Sequence, residues 1–201
     1  MELLFATTNQ GKMKEIREIM ADLNLPVLSL KDAGVTLDVE ENGTTFQENA
    51  MIKATGAAYL AGPDRIVLAD DSGLVIDALG GEPGIYSARY MGEDTSYRIK
   101  NQNLIDRLEG VADEDRTARF VCAIAAVLPD GTKLETYGVV EGLIGYEEKG
   151  DNGFGYDPIF RIPEMGGLTG AELSDEEKNS VSHRGRALRA MKEELKKYIE
   201  K

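Results

Sequence analysis

The residues best suited to chemistry are two adjacent carboxylates, a hydroxyl and a glycine, Asp70-Asp71-Ser72-Gly73. They follow the apolar run 66–69, which predicts a short buried strand that ends where the carboxylates begin. Neighbouring carboxylates repel each other, so both stay ionised most easily beside a divalent cation or an ammonium group. The segment therefore predicts a metal-binding position, with a plain Asx turn at the end of the strand as the structural alternative.

A second candidate lies near the amino terminus, where a predicted strand over 2–6 leads into a polar loop and then into a helix. The apolar residues Ile16, Ile19, Met20 and Leu23 recur at helical spacing. A strand, a glycine-containing loop with a lysine, and a helix together can present N–H groups and a cation to phosphate, although the spacing is not that of a Walker loop. The loop residues are Thr7, Thr8, Asn9, Gln10, Gly11 and Lys12, and any of the first three could cap the helix.

Further acidic residues, Glu40 and Glu41, follow a predicted strand over 35–39, which is itself preceded by one over 26–30. A capping box, Thr45 to Glu48, then predicts a helix that runs toward Gly62. Lys53 lies on this helix five residues after Glu48, so the two do not share a face. Taken alone, Lys53 is interpreted as a solvated lysine.

The middle of the chain predicts the elements that must hold these groups. We expect a strand over 74–79, an irregular loop over 80–84, a helix capped by Thr95 that ends at Gly110, and a solvated connection over 113–116. A nearly continuous apolar run over 118–128 predicts a long central strand, and Pro129-Asp130-Gly131 turns it into a return strand through Val140. Helices and a hairpin in one chain indicate an α/β fold with a mixed sheet.

The last third of the chain contains a loop over 150–158 in which glycines flank an aromatic residue and an aspartate precedes a proline. Phe154 could stack on a flat ligand and Asp157 could accept a hydrogen bond at its edge, but a structured turn is the alternative. A second capping box at Ser174 opens a helix with Lys178, and Ser182 caps a last helix whose core face is Leu188, Met191, Leu195 and Ile199. His183, Arg184 and Arg186 occupy its first turn, where the helix dipole disfavours cations, which suggests an anionic or carbonyl-rich ligand.

Composition narrows the class of protein. The 201 residues suit a single domain over 1–201, and 42% hydrophobic with 29% charged residues is ordinary for a soluble globular protein. The formal charge, 23 − 36 = −13, argues against a nucleic-acid polymer as partner. The only cysteine, Cys122, lies in an apolar run and is expected to be a buried hydrophobe. No segment predicts a membrane span or a signal peptide, so a reducing cytoplasm is the default expectation.

Six segments, taken together and in this order, resemble the inosine/xanthosine triphosphate pyrophosphatase family of house-cleaning nucleotide hydrolases. The resemblance extends from the first strand to the last helix, and although each segment is a weak signal, the six in register are specific. The segments are 6–12 with Glu15, 46–50 with Lys53 and Ala54, 70–74, 83–89, 153–158, and 182–184.

This resemblance implies hydrolysis of a non-standard purine nucleoside triphosphate, such as ITP, dITP or XTP, to the monophosphate and pyrophosphate. It also implies Mg²⁺ dependence, a homodimer, and an elongated mixed sheet with flanking helices that form two lobes around a central cleft. Residues 7–12 and Lys53 would contact the triphosphate, and Asp71 would be both general base and metal ligand. Glu40 or Glu41 would complete the metal site. Ser72 would touch substrate, and the nucleoside pocket would comprise Phe154, Gly155, Tyr156, Asp157, Lys178, His183 and Arg184.

The chemistry of these residue types agrees with that reading. Attack of water on the α-phosphorus needs a base, a cation that bridges phosphate oxygens and positive groups for the leaving pyrophosphate. Arg184 can only donate hydrogen bonds, so it suits the 6-keto oxygen of a purine and not the amino group of adenine. Two other functions stay open: a pyrophosphatase for modified pyrimidine nucleotides, and a non-catalytic nucleotide sensor, for which the carboxylates would have little use.

Overall fold

The fold is built on a seven-stranded β-sheet with flanking helices, and a computed structural model describes residues 1–200 of it. The strands are β1 (Glu2–Phe5), β2 (Val27–Ser29), β3 (Arg65–Ile76), β4 (Thr117–Val127), β5 (Lys133–Ile144), β6 (Phe160–Ile162) and β7 (Leu168–Thr169). The helices are α1 (Gln10–Met20), α2 (Phe46–Ala61), α3 (Tyr97–Arg107), α4 (Asp175–Val181) and α5 (His183–Ile199).

The sheet is mixed, as predicted. Its spatial order is β2-β1-β3-β4-β5-β6-β7, so the apolar β4 is the central strand. Strand β1 pairs in parallel with both β2 and β3, whereas β6 pairs antiparallel with both β5 and β7. Strands β4 and β5 are neighbours joined by a tight turn, which is the predicted hairpin.

The chain divides into two compact units, each with its own apolar core. Unit 1 comprises residues 1–71, 122–138 and 184–200, and the core face of α5 (Leu188, Met191 and Leu195) is buried in it with Cys122. Unit 2 comprises residues 72–121 and 139–183, with a core that includes Phe160. A single domain over 1–201 with two lobes around a cleft stays a prediction.

Several predictions about local structure were wrong. Strand β3 does not end at the carboxylates but continues through Asp70, Asp71 and Ser72 to Ile76, so the polar residues lie inside a strand. Residues 35–39 do not form a strand, because Leu37 and Val39 pack against α2 at Gly56, where an added Cβ would lie 2.6 Å from Val39 Cγ1. An alternating apolar pattern reports one buried face, and a helix can cover that face as well as a sheet can.

The third error concerns the connection before β4. Arg116 was expected in solvent but is 1% exposed, and its guanidinium donates to the carbonyl oxygens of Leu108, Ile144 and Gly145 at 2.8–2.9 Å. Buried charged groups persist when every donor finds an acceptor. Arg116 therefore ties the end of α3 to the end of β5 within unit 2.

The helix starts were predicted with more success. Asn9 caps α1 by accepting from Lys12 N, Thr45 caps α2 by accepting from Glu48 N, and Ser174 forms the predicted capping box with Glu177. The Thr95 cap was wrong, because α3 begins after Ser96. None of the helices within residues 1–200 combines the length and apolar character needed to cross a bilayer.

Candidate active site

Strand β3 carries two adjacent carboxylates, Asp70 and Asp71, and their side chains have different surroundings. Successive side chains of a strand point to opposite faces, so adjacent residues meet different neighbours. Asp70 is 2% exposed, while Asp71 is only partly buried. One strand therefore supplies two carboxylates with two distinct environments.

Asp70 is the centre of a buried cluster of charges. Its carboxylate accepts two hydrogen bonds from Lys12 Nζ, at 2.8 and 3.1 Å, and lies 3.5 Å from Arg184 Nε. Burial alone would raise the pKa of Asp70, but the positive charges of Lys12, Arg184 and Lys53 outweigh it and hold that pKa well below its usual range. Asp70 therefore stays ionised near neutral pH and is a weaker base than an ordinary aspartate.

Arg184 is bound by carboxylates of the same unit. Its side chain is 6% exposed, Nη1 donates to Glu15 Oε2 at 3.1 Å, and Nε faces Asp70. Burial alone would lower the pKa of Arg184, but the negative charges around it more than compensate and raise it. Glu15 and Asp70 account for the position of this cation at the start of α5 even when no ligand is bound. Recognition of a base by Arg184 therefore stays a prediction.

The pKa of Asp71 is shifted in the opposite direction from that of Asp70. Burial raises the pKa of Asp71 to about 6, and the charges of Glu41 and Asp70 act in the same direction. The charge of Lys53 and a hydrogen bond from the side chain of Asn49 oppose this rise. Asp71 is therefore a carboxylate that is ionised at neutral pH yet basic enough to take up a proton.

Lys53 faces these carboxylates and not solvent, so its interpretation as a solvated lysine was wrong. Its side chain is 17% exposed and Nζ lies 3.1 Å from Glu41 Oε2. Burial alone would lower the pKa of Lys53, but Asp70, Asp71 and Glu41 outweigh it and raise that pKa. Of the two glutamates proposed as metal ligands, Glu41 approaches this cluster, whereas Glu40 is exposed.

The donor set near Asp71 fits a divalent cation that arrives with its substrate. Among residues 1–200 no three His, Cys, Asp or Glu side chains form a ready cluster for a metal ion. Mg²⁺ commonly uses one or two protein carboxylates and takes its other ligands from phosphates and water. Asp71 and Glu41, which already repel each other electrostatically, are a carboxylate pair of this kind.

The loop before α1 presents the other predicted phosphate contacts. Thr7 is buried and its Oγ1 accepts from Asn9 N at 3.2 Å, whereas Thr8, Asn9, Gln10 and Gly11 are exposed. Asn9 caps α1, and Lys12 in the first turn points its ammonium to Asp70. An exposed loop at a helix amino terminus is a suitable surface for phosphate oxygens.

Unit 2 holds the aromatic loop that was singled out in the sequence. Phe154 is 53% exposed, and Lys178 Nζ lies 4.7 Å from the centre of its ring. Asp157 is buried and accepts from Lys178 Nζ at 2.6 Å and from Phe154 N at 2.8 Å. Position 153 requires glycine for two reasons. Its φ is +74°, and an added Cβ would lie 2.3 Å from Asp157 Oδ2.

The remaining residues predicted for the nucleoside pocket also lie in unit 2. His183 stacks on Phe120 with ring centres 4.9 Å apart and planes 11° from parallel. Tyr156 is buried and its hydroxyl donates to Ser87 O at 2.6 Å, while the carbonyl oxygen of Gly155 accepts from Asn101. Ser72 is partly exposed.

Sequence reasoning assigned no role to Glu15 or Asn49, and it treated Asp70 only as one of a pair of metal-binding carboxylates. All three belong to the segments that carried the family resemblance, but nothing in the sequence showed that Asp70 and Glu15 would meet Arg184. Asn49 did leave a signal, since asparagine is a weak helix former and stands in the first turn of α2. A buried amide in such a place must satisfy its hydrogen bonds.

The mixed sheet and the buried lysine–carboxylate cluster define an α/β protein with a site suited to an anionic ligand. The sequence profile of the Ham1 family matches residues 3–194. A dITP/XTP pyrophosphatase of Clostridium tetani is 46% identical over 199 residues and covers 98% of both chains. A dITP/XTP pyrophosphatase of Geobacter sulfurreducens is 49% identical over 193 residues and covers 96% of both.

Solved structures agree with these sequence comparisons. A HAM1 protein from Coxiella burnetii superposes with a TM-score of 0.88 at 42% identity, over 98% of this chain and 99% of the other. The Staphylococcus aureus Ham1 protein gives the same TM-score at 41% identity. The chain therefore belongs to the Ham1 family, as the resemblance implied.

Proposed function

We propose that this protein hydrolyses non-standard purine nucleoside triphosphates, namely dITP, ITP and XTP, to the nucleoside monophosphate and pyrophosphate. The substrate class rests on the full-length similarity to dITP/XTP pyrophosphatases. The reaction rests on one observation above all: Asp71, with a pKa near 6, lies among Lys53, Glu41 and Asn49. This is the environment that a general base for water needs at neutral pH.

In the proposed reaction Asp71 accepts a proton from water as the water oxygen attacks the α-phosphorus. A new bond forms between that oxygen and phosphorus, the bond from phosphorus to the bridging oxygen of the β-phosphate breaks, and pyrophosphate leaves with the bonding pair. Without a bound cation, burial raises the pKa of Asp71 to about 6, so most of it is ionised at neutral pH. A bound cation would lower that pKa and keep the carboxylate ionised. Asp70 cannot replace it, because its own pKa is depressed.

Lys12 and Lys53 are proposed to hold the triphosphate, together with the loop formed by Thr7, Thr8, Asn9, Gln10 and Gly11. Each lysine already has a carboxylate partner in the protein, Asp70 for Lys12 and Glu41 for Lys53. These contacts keep the ammonium groups in place and limit the free energy lost in ordering them when phosphate binds. The positive charges then stabilise the negative charge that accumulates on the leaving pyrophosphate.

The proposed cofactor is Mg²⁺, held by Asp71 and Glu41, with phosphate oxygens completing its ligands. Nucleoside triphosphate pyrophosphatases generally depend on a metal ion, and hard oxygen donors are what Mg²⁺ prefers. When bound, the cation would neutralise phosphate charge and polarise the α-phosphorus. Glu41, and not Glu40, is proposed because Glu41 is the glutamate that shares Lys53 with Asp71.

The nucleoside is proposed to stack on Phe154, whose ring is exposed in unit 2. Lys178 lies over that ring and is held by Asp157, so its ammonium has a defined position from which to donate to a keto oxygen. His183, Arg184, Ser72, Gly155 and Tyr156 complete the proposed substrate contacts on the strength of the family resemblance. The same resemblance supports a homodimer with a small-molecule triphosphate as ligand. The formal charge of −13 argues against a nucleic-acid polymer as a partner.

The proposal is tested by offering the protein dITP, ITP, XTP, dUTP and the four common ribonucleoside triphosphates with Mg²⁺ and by separating the products. We expect monophosphate and pyrophosphate from the first three and little turnover of the others. Asp71→Asn serves as the inactive control. Preferred turnover of dUTP would indicate a pyrimidine enzyme, and tight binding of dITP without turnover would indicate a sensor.

A further inference from the structure

The buried amide of Asn49 connects two segments of unit 1 that carry the proposed catalytic groups. Asn49 is 1% exposed and stands in the first turn of α2. Its Oδ1 accepts a hydrogen bond from Gly43 N at 2.9 Å, and its side chain also hydrogen-bonds to the carboxylate of Asp71. One side chain therefore contacts β3 and the segment that contains Glu41.

The chemistry of the two partners leaves only one orientation for this amide. A backbone N–H can only donate, so Gly43 requires the oxygen of Asn49. An ionised carboxylate can only accept, so Asp71 requires the nitrogen. Rotating the amide by half a turn would break both hydrogen bonds, and an unsatisfied buried polar group is unfavourable. Asn49 therefore holds a donor aimed at Asp71.

Close packing fixes the segment that contains Glu41 against α2. A Cβ added at Gly43 would lie 2.7 Å from Asn49 Oδ1 and 2.7 Å from Glu48 Cβ, so only glycine allows this approach. Thr44 on the same segment donates from N and Oγ1 to Glu48 Oε2, at 2.6 and 2.9 Å. The backbone two residues after Glu41 is thus held by α2 through both packing and hydrogen bonds.

From these contacts we infer that Asn49 is a positioning residue that sets the placement of Asp71 relative to the segment of Glu41. This inference rests on the proposed function, in which these two carboxylates act together. Asn49 does not touch the reacting atoms in this reading. It acts through Asp71, to which its amide nitrogen donates, and through Gly43, whose backbone it links to Asp71.

The experiment compares three variants of the full-length protein. Asn49→Asp keeps an acceptor for Gly43 and removes the donor to Asp71, so the two contacts are separated. Asn49→Leu has a similar shape and removes both contacts. Thr45→Ala is the matched control, since it removes the cap of the same helix and leaves the side chain of Asn49 intact.

For turnover of dITP at saturating Mg²⁺ and about pH 8, we expect kcat to fall about 10- to 100-fold in Asn49→Asp and Asn49→Leu, the usual effect of losing a supporting hydrogen bond at such a site. KM for dITP should change by less than about threefold, because the lysines that bind phosphate are untouched. Thr45→Ala should keep kcat within about twofold while its melting temperature falls.

A second readout needs no activity. Exchange of the Gly43 amide hydrogen, followed by NMR in the metal-free protein, should accelerate about tenfold or more in Asn49→Leu and stay slow in Asn49→Asp. Folded variants in which kcat stays within twofold of the parent would overturn the inference, as would a kcat loss as large in Thr45→Ala. If the parent turned over no purine triphosphate, the proposed function would fail while the exchange of Gly43 still tested the link.

Discussion

Exchanging each carboxylate of β3 for its amide should change the stability of the protein in opposite directions. Asp71 has a pKa of about 6 in the folded protein against 3.8 for an ordinary aspartate. This difference in pKa means that folding disfavours the ionised form of Asp71 by roughly 3 kcal/mol. The attraction of Lys53 is already contained in this pKa, so Asp71→Asn should raise the free energy of unfolding by about 1–3 kcal/mol.

The neighbouring substitution removes a partner that two buried cations need. Asp70→Asn leaves Lys12 and Arg184 without the carboxylate that binds both, and breaking a buried ion pair in this way usually destabilises by about 3–5 kcal/mol. A protein of this size shifts its melting temperature by about 2–4 °C for each kcal/mol. We therefore expect Asp71→Asn to melt a few degrees above the parent and Asp70→Asn about 10 °C below it.

The dependence on pH provides a further check on the assignment. The folded pKa of Asp71 lies above its unfolded value, so the folded state binds the extra proton between about pH 4 and pH 6. The destabilisation by Asp71 is thus absent below about pH 4, develops as the pH rises through this window, and is complete above about pH 6. Asp70 has the opposite sign, since its stabilisation is lost as the pH falls through its depressed folded pKa.

The assay is thermal and urea unfolding of the parent and both variants, in buffer with a chelator and without nucleotide, at several pH values. The stability advantage of Asp71→Asn over the parent should be largest at neutral pH and vanish near pH 4. If Asp71→Asn were destabilised as strongly as Asp70→Asn at neutral pH, the ionised form of Asp71 would not be disfavoured by folding, and the reasoning would be refuted.

Three further predictions concern the substrate contacts and the base. Phe154→Ala should leave the melting temperature unchanged, because the ring is exposed. It should lower kcat/KM for dITP by about 10- to 100-fold, the equivalent of about 1–3 kcal/mol for one stacked base. An unchanged kcat/KM would show that Phe154 does not contact the base. Arg184→Met should lower the free energy of unfolding, measured in urea, by about 3–5 kcal/mol, because Glu15 and Asp70 lose a buried partner. A loss below about 1 kcal/mol would show that these ion pairs contribute little. The kcat/KM for dITP should fall about tenfold per pH unit below a midpoint near pH 6, because kcat/KM reports the free enzyme, in which Asp71 must be ionised. A midpoint above pH 7 would point to another base.

The sequence predicted the regular elements well where one physical signal dominated. The long apolar run became the central strand β4, and the caps at Asn9, Thr45 and Ser174 are present because a short polar side chain before a helix satisfies free N–H groups locally. The predicted strand over 66–69 was shorter than β3 for a related reason. Paired carboxylates are rare inside strands, and only the tertiary partners of Asp70 make that position tolerable.

The sequence offered candidate residues for the site but gave no sign of their pairings. Lys53 looked solvated because its helical neighbours offer no partner, and its three carboxylates come from other segments of the chain. Arg184 was assigned to a ligand because the start of a helix disfavours cations, but Glu15 and Asp70 lie against it in the fold. Local patterns carry no information on such long-range pairs, which only the fold brings together.

The position of bond cleavage tests the central claim most directly. Hydrolysis of dITP with Mg²⁺ in water enriched in ¹⁸O places the heavy oxygen on the phosphorus that was attacked. Attack on the α-phosphorus predicts one ¹⁸O atom in dIMP, none in pyrophosphate, and equal amounts of the two products. Heavy oxygen in pyrophosphate, or orthophosphate with dIDP as the first products, would contradict the proposed reaction and the role of Asp71 as its base.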